Sequence, residues 1–311
     1  MRGGDKPLAL DGEVLTPADA EYESARTVFN GLIDRRPALI ARCANTSDVV
    51  ETIAYARAEG LPLSVRGGGH GVAGHAICDR GVVIDFSDLH DVRVDVARNT
   101  AIAQPGATWF DFDQATQGYG LATTGGLISS TGIAGLTLGG GIGWLMRKHG
   151  LTCDNLIGAE VVTAEGDVLR VSEGENADLL WGLRGGGGGL GVVTSFEYRL
   201  HPVQKVVGGM VVHPASTARD VLRFFRSLCA DAPDNLTLMA ALMTLPDGHP
   251  AVAIAASFSG PVLEGEQVLE PLRKFGSPLL DEIGIKPYLV LQTSLDSTAP
   301  WAVSITGRPI F

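Results

Sequence analysis

Short valine and isoleucine runs recur through the first two thirds of the chain, as in GVVIDF (81–86), GAEVVTAEGDVLRV (158–171) and GVVTSFEYRL (191–200). Apolar runs of this length, bounded by turn residues, predict buried strands. SDVVETIAYARAEGL (47–61) reads differently, with apolar residues at helical spacing, Ser47 placed as the N-cap and Gly60 as the stop. The first two thirds of the chain therefore mixes helix and sheet, and residues 1–34 are expected to form an N-terminal helical segment. After RLHPV the pattern changes, which sets a boundary near residue 204. KVVGGMVVHP, LTLMAALMTLP and AVAIAASFSG then predict three strands. STARDVLRFFRSLCADAP and LEGEQVLEPLRKFG predict amphipathic helices between the first two and after the third.

Charge and cysteine usage narrow the function. With 24 Lys and Arg against 35 Asp and Glu, the net charge is -11, so the chain has no electrostatic footprint for nucleic acid or an anionic membrane. The N-terminus carries no apolar signal region and no apolar run is long enough to span a bilayer, so a cytoplasmic location is expected. Cys43, Cys78, Cys153 and Cys229 are scattered without a CxxC pair, against both a disulfide framework and a structural metal site.

The chain has 41 glycines, and the excess is concentrated in a terminal RGG that reads as a flexible end and in RGGGHGVAG, TTGGLISSTGIAGLTLGGGIG and LRGGGGGLG, which alternate with apolar segments and so are not low-complexity disorder. Glycine lets backbone N–H groups approach an extended anionic ligand, and several such loops suggest a dinucleotide. No GxGxxG stands in the strand-to-helix setting of a nicotinamide-binding fold, and no GxxxxGK[ST] occurs. An NAD-dependent dehydrogenase is therefore the weaker alternative.

The ordered series PLSVRGGGH, GVVIDFSDLHDVRVD, AIAQPGATWFDFDQAT, GGLISSTGIAGLTLGGGIGWLMRKHGLTCDNLIGAEVVTAEG and DLLWGLRGGGGGLGVVTSFEYRLHPV resembles the FAD-binding fold of the vanillyl-alcohol oxidase superfamily. Within it, the chain is most similar to the berberine-bridge-enzyme-like oxidoreductases. The resemblance implies an α+β chain: a PCMH-type FAD-binding domain of two α/β subdomains over residues 35–204, then a partial antiparallel-sheet substrate domain over 205–300.

It implies that His70, ending the R-G-G-G-H loop, bonds the flavin 8α carbon, and that Cys153 bonds ring carbon C6. A neutral imidazole nitrogen is a suitable nucleophile for the electron-poor 8α carbon, whereas a lone loop histidine with no motif around it would more often be a hydrogen-bonding residue. The same resemblance places Arg66, Gly67, Gly68, Gly69, Gly71 and Gly74 of the first loop against FAD. Ser130, Thr131, Gly132, Gly135 and Gly140 of the second region and Val193 join them. Cys43, Cys78 and Cys229 read as small apolar residues. His75 reads as structural, and His249 and Asp247 as parts of a solvated PDGHP turn. Where some relatives have a tyrosine in the GGGxG loop, this chain has Ile142, so no phenol serves there, and no catalytic base stands out.

The activity so implied is transfer of a hydride from an alcohol or amine carbon of a small-molecule substrate to covalent, bicovalently held FAD, with dioxygen as acceptor. A flavin-binding chain without turnover is the alternative. The resemblance also implies a longer protein: it fades in YLVLQTSLDSTAPW (288–301) and is lost in AVSITGRPIF (302–311). One permitted coding of that tail, started two bases later, reads Arg-Gln-Tyr-Tyr-Trp-Lys-Ala-His-Phe and restores the family's Y-Y-W-K segment. Residues 301–311 are thus expected to be a frameshifted tail on an incomplete second domain.

Overall fold

The computed structural model describes residues 8–301, so the tail expected to be out of frame lies, apart from Trp301, outside the described residues. Strands β1 (Glu13–Leu15), β2 (Leu39–Arg42), β3 (Leu63–Arg66) and β4 (Val82–Asp85) form a first sheet in the order β1-β2-β4-β3. β4 runs parallel to both β2 and β3, while β1 is antiparallel to β2. In the central strands β2 and β4 alternate side chains leave by opposite faces and both faces are covered, which is why they read as apolar runs. Leu39, Ala41, Val82 and Ile84 pack with Val49 and Ile53 of the helix Thr46–Glu59. Ile40 and Val83 pack on the other side with Tyr22, Val28 and Ile77.

Two local expectations need correction. Residues before 35 are not a helical segment: they supply the edge strand β1, and their only α-helix among the described residues is the four-residue Tyr22–Ala25. The N-cap of the next helix is Asn45, not Ser47, because Asn45 is the last extended residue and its side chain accepts from the Asp48 amide at 3.0 Å. The buried Asp48 carboxylate in turn accepts from the amides of Asp11, Gly12 and Ala44 at 2.9, 3.0 and 2.8 Å. Gly60 does close the helix, in the left-handed conformation at φ 65°.

The second sheet contains β5 (Val92–Asp95) and β6 (Thr100–Ala103) from the first part of the chain. After β7 (Leu121–Ala122) come β8 (Leu156–Val162), β9 (Val168–Ser172), β10 (Val192–Arg199) and β11 (His201–Pro202). The order is β5-β6-β10-β8-β9, antiparallel throughout, with β7 and β11 paired separately. A Thr108–Asp111 capping box opens the helix Trp109–Gln117, whose Trp109 and Phe112 fill the core with Phe196 and Tyr198.

The three strands expected after residue 204 are β12 (Lys205–Pro214), β13 (Leu236–Thr244) and β14 (Pro250–Phe258). They pair antiparallel as β13-β14-β12, and two short strands, β15 (Leu280–Asp281) and β16 (Gly284–Pro287), extend the sheet on β12. Along β14, Val252, Ile254, Ala256 and Phe258 meet the helices Ala218–Ala230 and Val262–Lys274. The alternate residues Ala251, Ala253 and Ala255 face away from those helices. On this second face Ala255 shares a cluster with Trp144, Tyr288 and Leu291. The PDGHP turn is exposed, with the His249 amide donating to Asp247 Oδ1 at 3.0 Å. Among the described residues no helix is long and apolar enough to cross a membrane, and no cluster of His, Cys, Asp or Glu could hold a metal.

Candidate functional site

The loop that follows β3 is packed against the turn before the six-residue helix Ile133–Leu138. A Cβ on Gly68 would lie 2.5 Å from both Cα and N of Gly132, so neither position admits a side chain. Gly67 is confined in the same way by the carbonyl of Pro105, 2.8 Å from where its Cβ would stand. Beyond these contacts the surroundings open: a Cβ on Gly71 or Gly135 would meet no atom within 4 Å. Glycine is thus required by backbone packing at 67, 68 and 132, whereas 71 and 135 border open space.

At the other end of that short helix, Gly140 and Gly141 hold the turn that carries Cys153. The Cys153 amide donates to the Gly140 carbonyl at 2.9 Å, and the Thr152 amide to the Gly141 carbonyl at 2.9 Å. The third glycine cluster joins the same place, since the Gly187 amide donates to the Leu138 carbonyl at 2.8 Å. A six-residue helix is about 9 Å long. The loop of His70 and the turn of Cys153 are therefore anchored at opposite ends of one short element, although 83 residues separate them in sequence (153 minus 70).

His70 stacks flat on Phe29, with ring centroids 3.7 Å apart and planes at 15°, and its Nε2 is buried without a hydrogen-bond partner. Burial holds its pKa below the ordinary histidine value and so favours the neutral ring. Cys153 is buried and unpaired, with Sγ 3.9 Å from Asp154 Oδ1. Burial, and then the Asp154 carboxylate, push its thiol pKa up; backbone amides and Arg184 act in the opposite direction but do not prevail. The thiol is the resting form.

Other residues singled out in the sequence are placed as follows. Arg66 lies along the glycine loop, its Nε 3.3 Å from where a Cβ on Gly69 would stand, with one guanidinium nitrogen donating to the Ala25 carbonyl and Nε 3.9 Å from Asp85 Oδ1. Ser130 is exposed, and Thr131 is held by its carbonyl, which accepts from the Trp109 amide at 3.0 Å. Gly69 and Gly74 have positive φ, and Gly74 is pressed against Ile33. Val193 does not join the group, because its side chain lies in the core of the second sheet. His75 and Ile142 are exposed.

Several neighbours carried no sequence signal. Asp296, near the end of the described chain, accepts from the Ser129 amide at 2.7 Å and from Ser129 Oγ at 2.5 Å, fixing the turn that leads to Gly132. His149 and His201 stack face to face at 3.8 Å beside the Cys153 turn. These are long-range contacts, and no local motif marks them.

Glycine loops thus meet at both ends of one short helix, with the His70 imidazole near one end and the Cys153 thiol near the other. The chain belongs to the FAD-linked oxidoreductases of the berberine-bridge-enzyme-like group, with the fold of PCMH-type FAD-binding oxidases. Residues 37–172 match the FAD binding domain family. An FAD-linked oxidoreductase of Dictyostelium discoideum is 34% identical over 306 residues, covering 97% of this chain and 66% of that protein. The crystal structure of 6-hydroxy-D-nicotine oxidase from Arthrobacter nicotinovorans superposes with a TM-score of 0.90 at 31% identity, covering 95% of this chain and 66% of that one. A glucooligosaccharide oxidase from Acremonium strictum, whose FAD is 6-S-cysteinyl and 8α-N1-histidyl, gives a TM-score of 0.81 at 26% identity over 93% and 62% of the two chains. The chain thus spans no more than about two thirds of the length of these relatives.

Proposed function

We propose that this chain binds FAD over residues 35–204, holds it by two covalent bonds, and transfers a hydride from an alcohol or amine carbon of a small molecule to it, with dioxygen as the electron acceptor. When bound, the flavin supplies the hydride acceptor and the re-oxidisable electron store. The chain's residues supply position and polarity. The observation that carries the reading is the joint anchoring of the His70 loop and the Cys153 turn on the helix Ile133–Leu138, which ties both candidate nucleophiles to one short element. His70 is assigned to the 8α carbon, since its buried Nε2 has no competing partner and its ring is held neutral. Cys153 is assigned to C6; its proton must leave first, a loss that Arg184 and the local backbone amides favour.

Gly71 and Gly135 leave room beside the loops, Gly67, Gly68 and Gly132 let the loops meet, and Gly69, Gly74, Gly140, Ser130 and Thr131 complete the cradle. In this reading Arg66 acts indirectly, by fixing the start of the loop, and any contribution of Val193 is limited to its backbone. Residues 205–300 form the substrate side, where Trp144 lies across from the alanine face of β14. All four cysteines are unpaired, which supports a cytoplasmic location.

Intact mass and visible absorbance after acid denaturation test the attachment. The expected result is retained flavin, with His70→Ala leaving a single bond through Cys153 and Cys153→Ala a single histidyl bond with a shifted spectrum. Complete release of flavin from the wild-type chain would refute both assignments.

A further inference from the structure

The segment 25–35, which no sequence motif marked, is fastened along the whole His70 loop. The Phe29 amide donates to the Gly69 carbonyl at 3.1 Å, and Asn30 Nδ2 donates to the Val72 carbonyl at 2.9 Å. Arg35 donates to the carbonyls of Gly74 and Ile77, both at 2.8 Å, and Arg66 reaches back to the Ala25 carbonyl. Phe29 is buried, and it is bonded through its backbone to the residue next to His70 while its ring lies flat on the imidazole. Trp301 meets both rings only edge-on, at 6.0 Å from His70 and 5.7 Å from Phe29. The flat contact belongs to Phe29.

We propose that Phe29 is the positioning residue for covalent flavin attachment: its ring fixes the plane of the His70 imidazole, so that the ring nitrogen is held on the line of attack rather than sampling other rotamers. The inference rests on His70 being the 8α attachment residue. A stacked ring leaves Nε2, at the imidazole edge, without a competing partner while blocking rotation about χ2. It also takes one imidazole face from water, in keeping with the neutral ring that nucleophilic attack requires.

In the attachment itself a bond forms between an imidazole nitrogen and the flavin methyl carbon. The imidazole N–H and one methyl C–H are lost as protons, and the electron pair of that C–H bond reduces the ring by two electrons. Dioxygen takes both electrons with two protons and leaves as hydrogen peroxide. Phe29 forms and breaks no bond, so its effect falls on the rate of this step alone.

The test uses the full chain in a Cys153→Ala background, where any acid-stable flavin must be held by His70. Flavin-free protein is mixed with FAD in air, and the covalent fraction is followed by intact mass. Phe29→Leu is expected to slow covalent loading by about tenfold or more, as loss of orientation does. Phe29→Tyr, which keeps the flat ring, should recover most of the rate, and Trp301→Leu should load like its parent.

Loading of Phe29→Leu at the parental rate overturns the proposal, as does an equal loss in Trp301→Leu, which would make general apolar cover the cause. If the Cys153→Ala parent itself releases all flavin in acid, the attachment reading has failed, and the inference with it. Proton NMR of the flavin-free wild-type chain gives a check that no variant can spoil by misfolding. The His70 ring protons should be shifted upfield by the facing phenyl ring, and unshifted protons overturn the stack.

Discussion

His149 and His201 show how much a single contact can add to a motif. Their rings stack at 3.8 Å and 12°, and His201 Nε2–H donates to Asn155 Oδ1 at 2.8 Å. Asn155 Nδ2 in turn donates to the carbonyls of His149 and Leu151 at 2.9 Å, so the turn bearing Cys153 is suspended from this pair. Burial, followed by the charges of His201 and Lys148, brings the His149 pKa from 6.5 to about 4. The native chain then binds fewer protons than the unfolded chain between those two values. Stability from this residue is complete above about pH 6.5 and is lost as the pH falls through about 4. Urea denaturation of His149→Phe across that range should show a shallower fall than the wild type; an unchanged slope would assign the acid sensitivity elsewhere. His70 and Cys153 were legible as residues because each sits inside a local motif. The histidine pair and Phe29 were not, because each owes its role to a partner far away in the chain.

At the scale of elements, the glycine loops separate into two kinds that look alike in the sequence. Gly68 must be glycine because Gly132 passes 2.5 Å from where its Cβ would be, whereas Gly135, inside the helix Ile133–Leu138, faces open space. Gly68→Ala should therefore cost about 1–3 kcal/mol of stability through overpacking. Gly135→Ala should gain up to about 1 kcal/mol, as glycine in a helix interior is unfavourable. Flavin loading separates the roles: Gly135→Ala is expected to load poorly in spite of a raised melting temperature. Normal loading of that variant would mean that the space beside Gly135 is not used by the cofactor. The cap of the helix Thr46–Glu59 teaches a related point. Asn45 and Ser47 are both good cap residues, and only the backbone conformation, extended at 45, decides between them.

For the whole molecule, the third sheet is held to the glycine loops by few polar contacts. Ser129 with Asp296, Lys148 Nζ on the Ser259 carbonyl at 2.6 Å, and Gln292 Nε2 on the Gly126 carbonyl are the most direct. Beneath them lies Asp113, fully buried on the helix Trp109–Gln117, with both carboxyl oxygens unpartnered. Burial raises its pKa well above 3.8; burial, and then the Asp113 charge, raise that of the Tyr288 hydroxyl. Because the native pKa is the higher one, Asp113 costs nothing below pH 3.8 and progressively destabilises the native chain as the pH rises above it.

Asp113→Asn, which is uncharged at every pH, should then lose less stability than the wild type between acid and neutral pH, and so be the more stable of the two at neutral pH. At about 2–4 °C per kcal/mol, differential scanning calorimetry resolves such a gain. An advantage that did not grow from acid to neutral pH would show that Asp113 is paired or solvated in solution.

The sequence by itself determined the buried strands, the three strands after residue 204 and the glycine loops, and it marked His70 and Cys153 as candidates. Apolar period and turn residues act over a few positions, and a motif such as R-G-G-G-H is read within one loop. It also carried enough of the family's pattern to name the cofactor. Only the tertiary structure decided that the segment before residue 35 gives a strand to the first sheet and a phenyl ring to His70. The same holds for Asp48 gathering amides from the incoming chain, for Asp296 reaching back across 167 positions to Ser129, and for Arg66 tying the Ala25 carbonyl to the loop. Each of these depends on where a distant segment ends up, and that position is fixed by burial of whole faces, not by the residues next to it in the chain.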